Sequence, residues 1–259
     1  MVDEVLLEHD GHIATVTLNR PEKRNALNLD GWNALAAVFA AVGDDDDVRC
    51  VVVRGAGTKA FAAGADISAF PEERGDTATA LGYGEVEMAG IRAVANCRHP
   101  TVAMIHGACV GGGMEIACAC DIRVAGASSR FGAPINRLGL TMAYDELAFF
   151  IDAVGRSTAL EILLEGSVFG AERAKDLGIV SRIFEDAALE KETYALARRV
   201  ADGAPLVNRW HKKFAKRLAD PRPLTQEEIA EGYAAFDTED YRTGRRSFLD
   251  KTRPVFRGR

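Results

Sequence analysis

Near its start, the chain alternates apolar and polar residues on both sides of a turn-forming pair, Asp10-Gly11. The two segments are residues 5–8 and 12–18. A period of two residues is typical of β-strands, because successive side chains point to opposite faces. The pattern therefore predicts a β-hairpin over 5–18.

From Leu29 the period changes to that of a helix. Apolar residues at positions 29, 32, 35, 36, 39 and 42 share one helical face, and Gly43 ends the run. Further strands are predicted at 48–54, 101–106, 121–125 and 179–183, with helical runs between them that include 85–97 and 145–154. This alternation of strands and helices indicates an α/β fold.

Beyond Ala187 the pattern is almost wholly helical, and prolines at 205, 221 and 223 separate the runs. Helices added to a finished core need a further surface to cover their apolar faces, which favours a subunit interface. We predict a core domain over 1–195 and a C-terminal helical region over 196–259.

Composition limits the partners of this chain. Its 259 residues are 47% hydrophobic, which is enough for a large core. A net charge of −6 and a pI of about 5.5 disfavour nucleic acid as the main partner. Five cysteines form no CxxC pair, which indicates buried thiols. Without an 18-residue apolar run or a signal-peptide pattern, we expect a cytoplasmic protein with no membrane partner.

The segment 107–121 has the pattern of a glycine-rich turn that leads into a short apolar helix. Glycines at 111, 112 and 113 permit positive φ angles and close approach of a ligand to the backbone. The helix start has unpaired N–H groups, and such groups can hold an oxyanion. Glu115 follows in the first helical turn, either as a proton-transfer group or as an ordinary first-turn acid.

A second small-residue turn, 59–67, follows the strand-like run at 50–53. Two such turns could each supply one amide to a shared carbonyl, as acyl chemistry requires. Together with the segment 18–28, Leu-Asn-Arg-Pro-Glu-Lys-Arg-Asn-Ala-Leu-Asn, these turns resemble the crotonase superfamily of enoyl-CoA hydratases and isomerases. The resemblance extends from about residue 5 to Arg259.

The resemblance implies a spiral of ββα units and a C-terminal helical region that forms trimers, commonly paired as hexamers. It implies that the backbone N–H groups of Ala65 and Gly112 hold a thioester carbonyl and stabilise an enolate. Glu115 matches a family acid. No separate cofactor is expected, since coenzyme A is part of the substrate.

The resemblance also implies where coenzyme A binds. Lys23 and Arg24 lie in the early loop that contacts the nucleotide, and cations there would supply a local basic patch. Solvent exposure is the alternative for these cations. The full set of implied coenzyme A contacts is Lys23, Arg24, Ala26, Ala63, Asp66, Ile67, Phe248 and Lys251.

One position departs from the family pattern. Family hydratases carry a second glutamate after a Gly-x-Pro segment, and this chain has Ile135 there. Losing one of two proton-transfer acids puts efficient hydration in doubt. Tyr144, Asp145 and Glu146 are candidate substitutes, although Asp145 reads better as a helix cap.

Other motifs are weaker. The segment 55–60 fits the loose dinucleotide fingerprint G-x-G-x-x-A but lacks a convincing strand that ends in an acidic residue about twenty positions on. The chain has no G-x-S-x-G elbow, and its histidines show no metal-ligand spacing. The acids at 44–47 read as a solvated loop, so no metal is predicted.

The sequence thus predicts an enzyme acting on an acyl-CoA thioester, with enoyl-CoA hydratase or isomerase chemistry. Two alternatives stay open because of Ile135. One is a non-catalytic acyl-CoA-binding protein. The other is a decarboxylase or another enolate reaction that needs no second acid.

Overall fold

The computed structural model describes residues 3–259, so the first two residues of the predicted core domain 1–195 lie outside it. The strands are β1 (Val5–Asp10), β2 (Ile13–Leu18), β3 (Cys50–Gly55), β4 (Ala60–Ala62), β5 (Thr101–Ile105), β6 (Ala108–Val110), β7 (Ile122–Gly126), β8 (Arg130–Gly132), β9 (Phe169–Gly170) and β10 (Arg182–Phe184). The α-helices are α1 (Leu29–Asp44), α2 (Phe70–Glu73), α3 (Thr77–Asn96), α4 (Gly112–Ala119), α5 (Tyr144–Val154), α6 (Arg156–Glu165), α7 (Ala171–Asp176), α8 (Asp186–Ala201), α9 (Pro205–Leu218), α10 (Gln226–Glu231) and α11 (Glu239–Asp250).

The strands form two sheets, and from β3 to β8 successive strands of the chain alternate between them. The larger sheet has the order β1-β2-β3-β5-β7-β10, and the smaller has the order β4-β6-β8-β9. Apart from the β1–β2 hairpin and the β8–β9 pair, neighbouring strands are parallel. Each of β3, β5 and β7 is followed by a strand of the smaller sheet and then by helix. The fold is therefore a series of ββα units, which confirms the predicted fold class.

The larger sheet is covered on both faces. All six residues of β2 are buried, including the threonines at 15 and 17. Ala14, Val16 and Leu18 pack with apolar residues of α1 and α3, whereas Ile13 packs with Leu189 and neighbours on α8. Burial on both faces is typical of parallel sheets, because the crossover helices cover them.

Most predicted elements differ from the observed bounds by one or two residues, and two differ by more. Helix α3 begins at Thr77, not at 85, because Asp76 and Thr79 form a capping box there. The strand predicted at 179–183 is observed as β10, Arg182–Phe184. Ile179 is buried outside the strand, and its carbonyl accepts a hydrogen bond from the Arg123 side chain.

The C-terminal part of the chain is helical, as predicted. Helix α8 covers the sheet, and α9, α10 and α11 continue beyond it. These later elements leave many large apolar side chains exposed, which are Leu218, Leu224, Ile229, Tyr233, Phe236, Tyr241, Phe248, Leu249 and Val255. None of the helices within residues 3–259 combines the length and the apolar character needed to cross a bilayer.

Candidate active site

The two glycine-rich turns predicted from the sequence are in contact. Gly64 has φ +91° and Gly111 has φ +54°, a backbone conformation that favours glycine. A Cβ atom added at Gly64 would lie 2.9 Å from the Val110 carbonyl oxygen and 3.1 Å from the Gly112 nitrogen. Only glycine at position 64 lets the turns approach this closely.

Each turn contains backbone N–H groups without an acceptor among the described residues, and these include those of Ala65 and Gly112. Leu27 fixes Ala65 on both sides, since its N–H donates to Gly64 and its carbonyl accepts from Asp66. Gly112 is the first residue of α4, where no intrahelical acceptor exists. Within residues 3–259, neither the Ala65 nor the Gly112 N–H donates a hydrogen bond. Both groups are free to bind a ligand oxygen.

The turns border a cavity of about 110 Å³, which is large enough for a few water molecules or the reacting atoms of a small acyl group. Its lining includes Ala65, Gly112, Glu115 and Ile135, as the sequence suggested. A more open cavity of about 540 Å³ adjoins it and shares Arg74, Leu140, Thr141 and Glu146 with its wall. Together they form a groove that ends at the two turns.

Glu115 is buried beside these amides. It lies in the first turn of α4 and is only 6% exposed, and its Oε2 has no hydrogen-bond partner. Burial, followed by the nearby acids Glu87 and Glu146, raises the pKa of Glu115 well above its usual value. A raised carboxyl pKa in a cavity suits proton transfer near neutral pH.

Glu87 is a second buried acid of this cavity, and the sequence analysis missed it. It lies on α3, is 4% exposed and has an unpartnered Oε2. A Cβ added at Gly112 would lie 3.4 Å from Glu87 Oε1, so this carboxyl lies next to Gly112. Burial, with a smaller contribution from Glu146, raises the pKa of Glu87 to about 8.

A sequence signal for Glu87 did exist. Tyr83, Glu87 and Ile91 are spaced four residues apart, so they share one helical face, and all three are buried. An acid inside an apolar helical stripe is unusual unless it is paired or functional.

Glu146 is the third carboxyl of the cavity wall. Its Oε2 accepts a hydrogen bond of 3.1 Å from the Ala143 N–H at the start of α5. Burial raises the pKa of Glu146 above its usual value. The positive charge of Arg74 acts on all three acids and partly offsets the rise in their pKa, while its guanidinium stacks on the rings of Phe70 and Tyr83.

Of the candidate substitutes for the second acid, only Glu146 reaches this cavity. Tyr144 is 93% exposed, and Asp145 pairs with Arg92 on the surface. The prediction that Asp145 caps the helix is wrong, because Ala143 occupies the N-cap position and Asp145 lies inside the first turn. Its carboxylate is instead engaged by Arg92.

The family of the chain follows from comparison with known proteins. A family model described as enoyl-CoA hydratase/isomerase matches residues 8–259. The chain belongs to this family. A short-chain-enoyl-CoA hydratase of Clostridium acetobutylicum is 31% identical over 253 residues, which cover 96% of each chain. An (E)-benzylidenesuccinyl-CoA hydratase of Thauera aromatica is 33% identical over 98% of this chain and 99% of its own.

Solved structures of family members have the same fold. A crystal structure of an enoyl-CoA hydratase/carnithine racemase from Magnetospirillum magneticum superposes with a TM-score of 0.98 and is 46% identical. The match covers 100% of this chain and 97% of that one. The recognition of the crotonase superfamily from sequence is thereby confirmed.

The early loop and the second glycine turn are in contact. The Lys23 ammonium donates to Ser68 at 3.0 Å, and the Arg24 carbonyl accepts from the Ala63 N–H at 3.0 Å. Ala63 and Ile67 line the cavity, whereas Ala26 is buried beneath the loop. The early loop therefore lies beside the segment that lines the cavity.

Asp66 connects the same two segments. Its carboxylate accepts hydrogen bonds from Arg20, at 3.0 Å, and from Ser68. Partial burial raises the pKa of Asp66, but the hydrogen bonds from Ser68 and Arg20 outweigh it, and the net pKa is lowered. Asp66 therefore stays ionised and fixes the loop beside Ala65.

The remaining predicted contacts lie on α11 and at its end. Phe248 is 84% exposed, and Lys251 caps the helix in the left-handed conformation with φ +52°. Neither residue lines the cavity of this chain. A role for them in this site would require another copy of the chain.

The weaker sequence motifs do not form sites. The dinucleotide-like segment 55–60 runs from β3 directly into β4, so no helix N-terminus is present to receive a pyrophosphate. Across the described residues, no group of three or more histidines, cysteines or acids has the arrangement of a metal site.

Proposed function

We propose that this protein binds an acyl-CoA thioester and stabilises its enolate with the backbone N–H groups of Ala65 and Gly112. The observation that carries the proposal is the pair of free amides from two contacting turns, beside the buried carboxyl of Glu115. A donor aimed at a developing oxyanion contributes about 3–4 kcal/mol in the transition state. Two donors account for a large part of the barrier reduction.

The reaction proposed is enoyl-CoA hydratase or isomerase chemistry. Holding negative charge on the thioester oxygen makes proton transfer at Cα and addition at Cβ easier. Glu115 exchanges the proton, since it lines the cavity and burial raises its pKa, which makes its carboxyl a better proton donor than an exposed acid. The hydratases named above support this class of reaction.

Coenzyme A binding is proposed at the border formed by Lys23, Arg24, Ala63 and Ile67. Phe248 and Lys251 would complete the site of a neighbouring subunit in a trimer or hexamer formed through the region 196–259. The exposed apolar side chains of that region support such an assembly.

Ile135 supports a rival function. It places an apolar wall where family hydratases carry an acid, which suits a protein that holds acyl-CoA without turnover or an enolate reaction such as decarboxylation. The buried, unpartnered carboxyl of Glu115 favours chemistry. An acid in that state lowers stability, and a protein that only binds the ester would not need it.

The test is turnover in D2O with a panel of short, medium and aromatic enoyl-CoA esters and (E)-benzylidenesuccinyl-CoA. We expect water addition or carbon-bound deuterium, and fragment mass spectrometry of the products detects either one. Glu115→Gln should lower either rate by at least about 100-fold while ester affinity stays within about threefold of that of the native chain. Glu161→Gln, an exposed acid on α6, is the control. Binding of the esters without any turnover in the native chain contradicts the enzyme and supports the binding protein.

A further inference from the structure

We infer that Glu87 is the second proton-transfer group of this site, and that it replaces, from a different helix, the acid that Ile135 removes. The inference rests on the proposed function. Its basis is that α3 places an unpartnered carboxyl beside Gly112, in the lining of the same cavity as Glu115.

The position of Glu87 is fixed by close packing. The Trp32 ring fills the space in front of Gly112, where a Cβ would lie 3.1 Å from Trp32 Cζ2. The indole N–H donates to the Tyr83 hydroxyl at 2.8 Å, one helical turn before Glu87. These contacts pack the start of α4 and the α3 turn that precedes Glu87 against the same ring.

A purely structural role does not fit Glu87. Buried polar groups in native proteins almost always have hydrogen-bond partners. The Glu87 Oε2 has none among residues 3–259, although its neighbours on the stripe, Tyr83 and Ile91, pack well. An apolar residue would fill this place on α3 without a desolvation penalty.

Glu87 is also better placed than Glu146. The Glu146 carboxylate is held by the Ala143 N–H at the start of its own helix, and the residue lies on the wall shared with the outer cavity. Glu87 is free of such a bond at its buried oxygen and adjoins Gly112 directly.

Two nearby carboxyl groups repel each other when both are ionised, which favours a state of the pair that holds one proton. Hydration uses this state. In hydration, the ionised carboxylate takes a proton from water as the water oxygen bonds to Cβ. The electron pair of the double bond moves onto the thioester oxygen at the two amides. The protonated carboxyl then gives its proton to Cα, and the pair ends with one proton on the opposite member. The balance is the addition of one water molecule.

The test compares Glu87→Gln with Glu161→Gln, the exposed acid on α6 that lines neither cavity. The substrate is the panel ester that the native chain turns over fastest. We expect Glu87→Gln to lower kcat by at least about 100-fold with KM within about threefold, and to remove one ionisation from the pH profile of kcat. Glu161→Gln should keep the native kcat and both ionisations.

The outcomes separate this inference from the proposed function. If the native chain turns over an ester and Glu87→Gln keeps the native kcat and pH profile, the role of Glu87 is overturned and the proposed function stands. No native turnover on any ester overturns both. If Glu87→Gln does not fold, Glu87→Asp decides. If the Glu87→Asp enzyme is slower and its pH profile of kcat keeps both ionisations, the inference is supported. If that profile has only one ionisation, the inference is overturned.

Discussion

A buried acid without a partner makes stability depend on pH in a direction opposite to that of a salt-bridged acid. Glutamate in the unfolded chain ionises near pKa 4.5, whereas folded Glu87 does so at about 8. Between these values the folded chain keeps a proton that the unfolded chain has lost. The contribution of Glu87 to stability is therefore intact below pH 4.5 and falls as the pH rises toward 8.

Glu87→Gln should remove this dependence, because glutamine has no proton to lose. We expect the variant to gain free energy of unfolding relative to the native chain between pH 5 and pH 8, on the order of 3 kcal/mol. Urea unfolding at pH 5, 6.5 and 8, at one protein concentration, measures the difference. Glu85→Gln, which changes an exposed acid on the same helix, should track the native chain throughout. A difference for Glu87→Gln that does not change with pH would contradict the raised pKa.

At the residue scale, the sequence revealed Glu115 but not Glu87. Glu115 follows a glycine turn, and that local pattern is enough to suggest a site. Glu87 lies in a helix with no glycine turn near it, and its proximity to Gly112 depends on how α3 packs against α4. Burial of a helical face can be read from periodicity, but the identity of its neighbours cannot.

Helix α3 contains glycines in two different environments. Its first half begins with a capping box and contains glycines at 82 and 84. These glycines weaken the helical pattern, so the sequence predicts a helix only from 85. Its second half packs against α1, where Gly90 touches Trp32. Glycine therefore serves two different purposes in the same helix.

Alanine at these glycines should separate the two purposes. A Cβ at Gly82 meets nothing within 4 Å, so Gly82→Ala should stabilise the protein by about 0.5–1 kcal/mol through helix propensity. A Cβ at Gly90 would lie 3.1 Å from the Trp32 carbonyl oxygen, so Gly90→Ala should destabilise it by about 1–3 kcal/mol. Thermal and urea unfolding of the two variants measure both signs. Equal effects would show that α1 and α3 are not packed as described.

For the whole molecule, the hydrophobic pattern predicted most elements but not how they meet. Residues 65, 87 and 112 come from three successive parts of the chain and are brought together by the ββα units. The order of the parallel strands is set by contacts between distant segments, and no internal sequence repeat predicts it. The resemblance to a known family, not periodicity, supplied the pairing of the two turns.

The last prediction concerns assembly. The C-terminal elements expose Phe248, Leu249 and Tyr233 in this chain, and exposed apolar patches of this kind mark interaction surfaces. We expect a particle of three or six copies of the 27.9 kDa chain by light scattering. Phe248→Asp should shift it toward smaller species and raise KM for acyl-CoA, whereas Tyr144→Asp, exposed on α5, should leave the mass unchanged. A native particle of one chain would contradict a site completed by a neighbour, because Phe248 and Lys251 lie outside the cavity of their own chain.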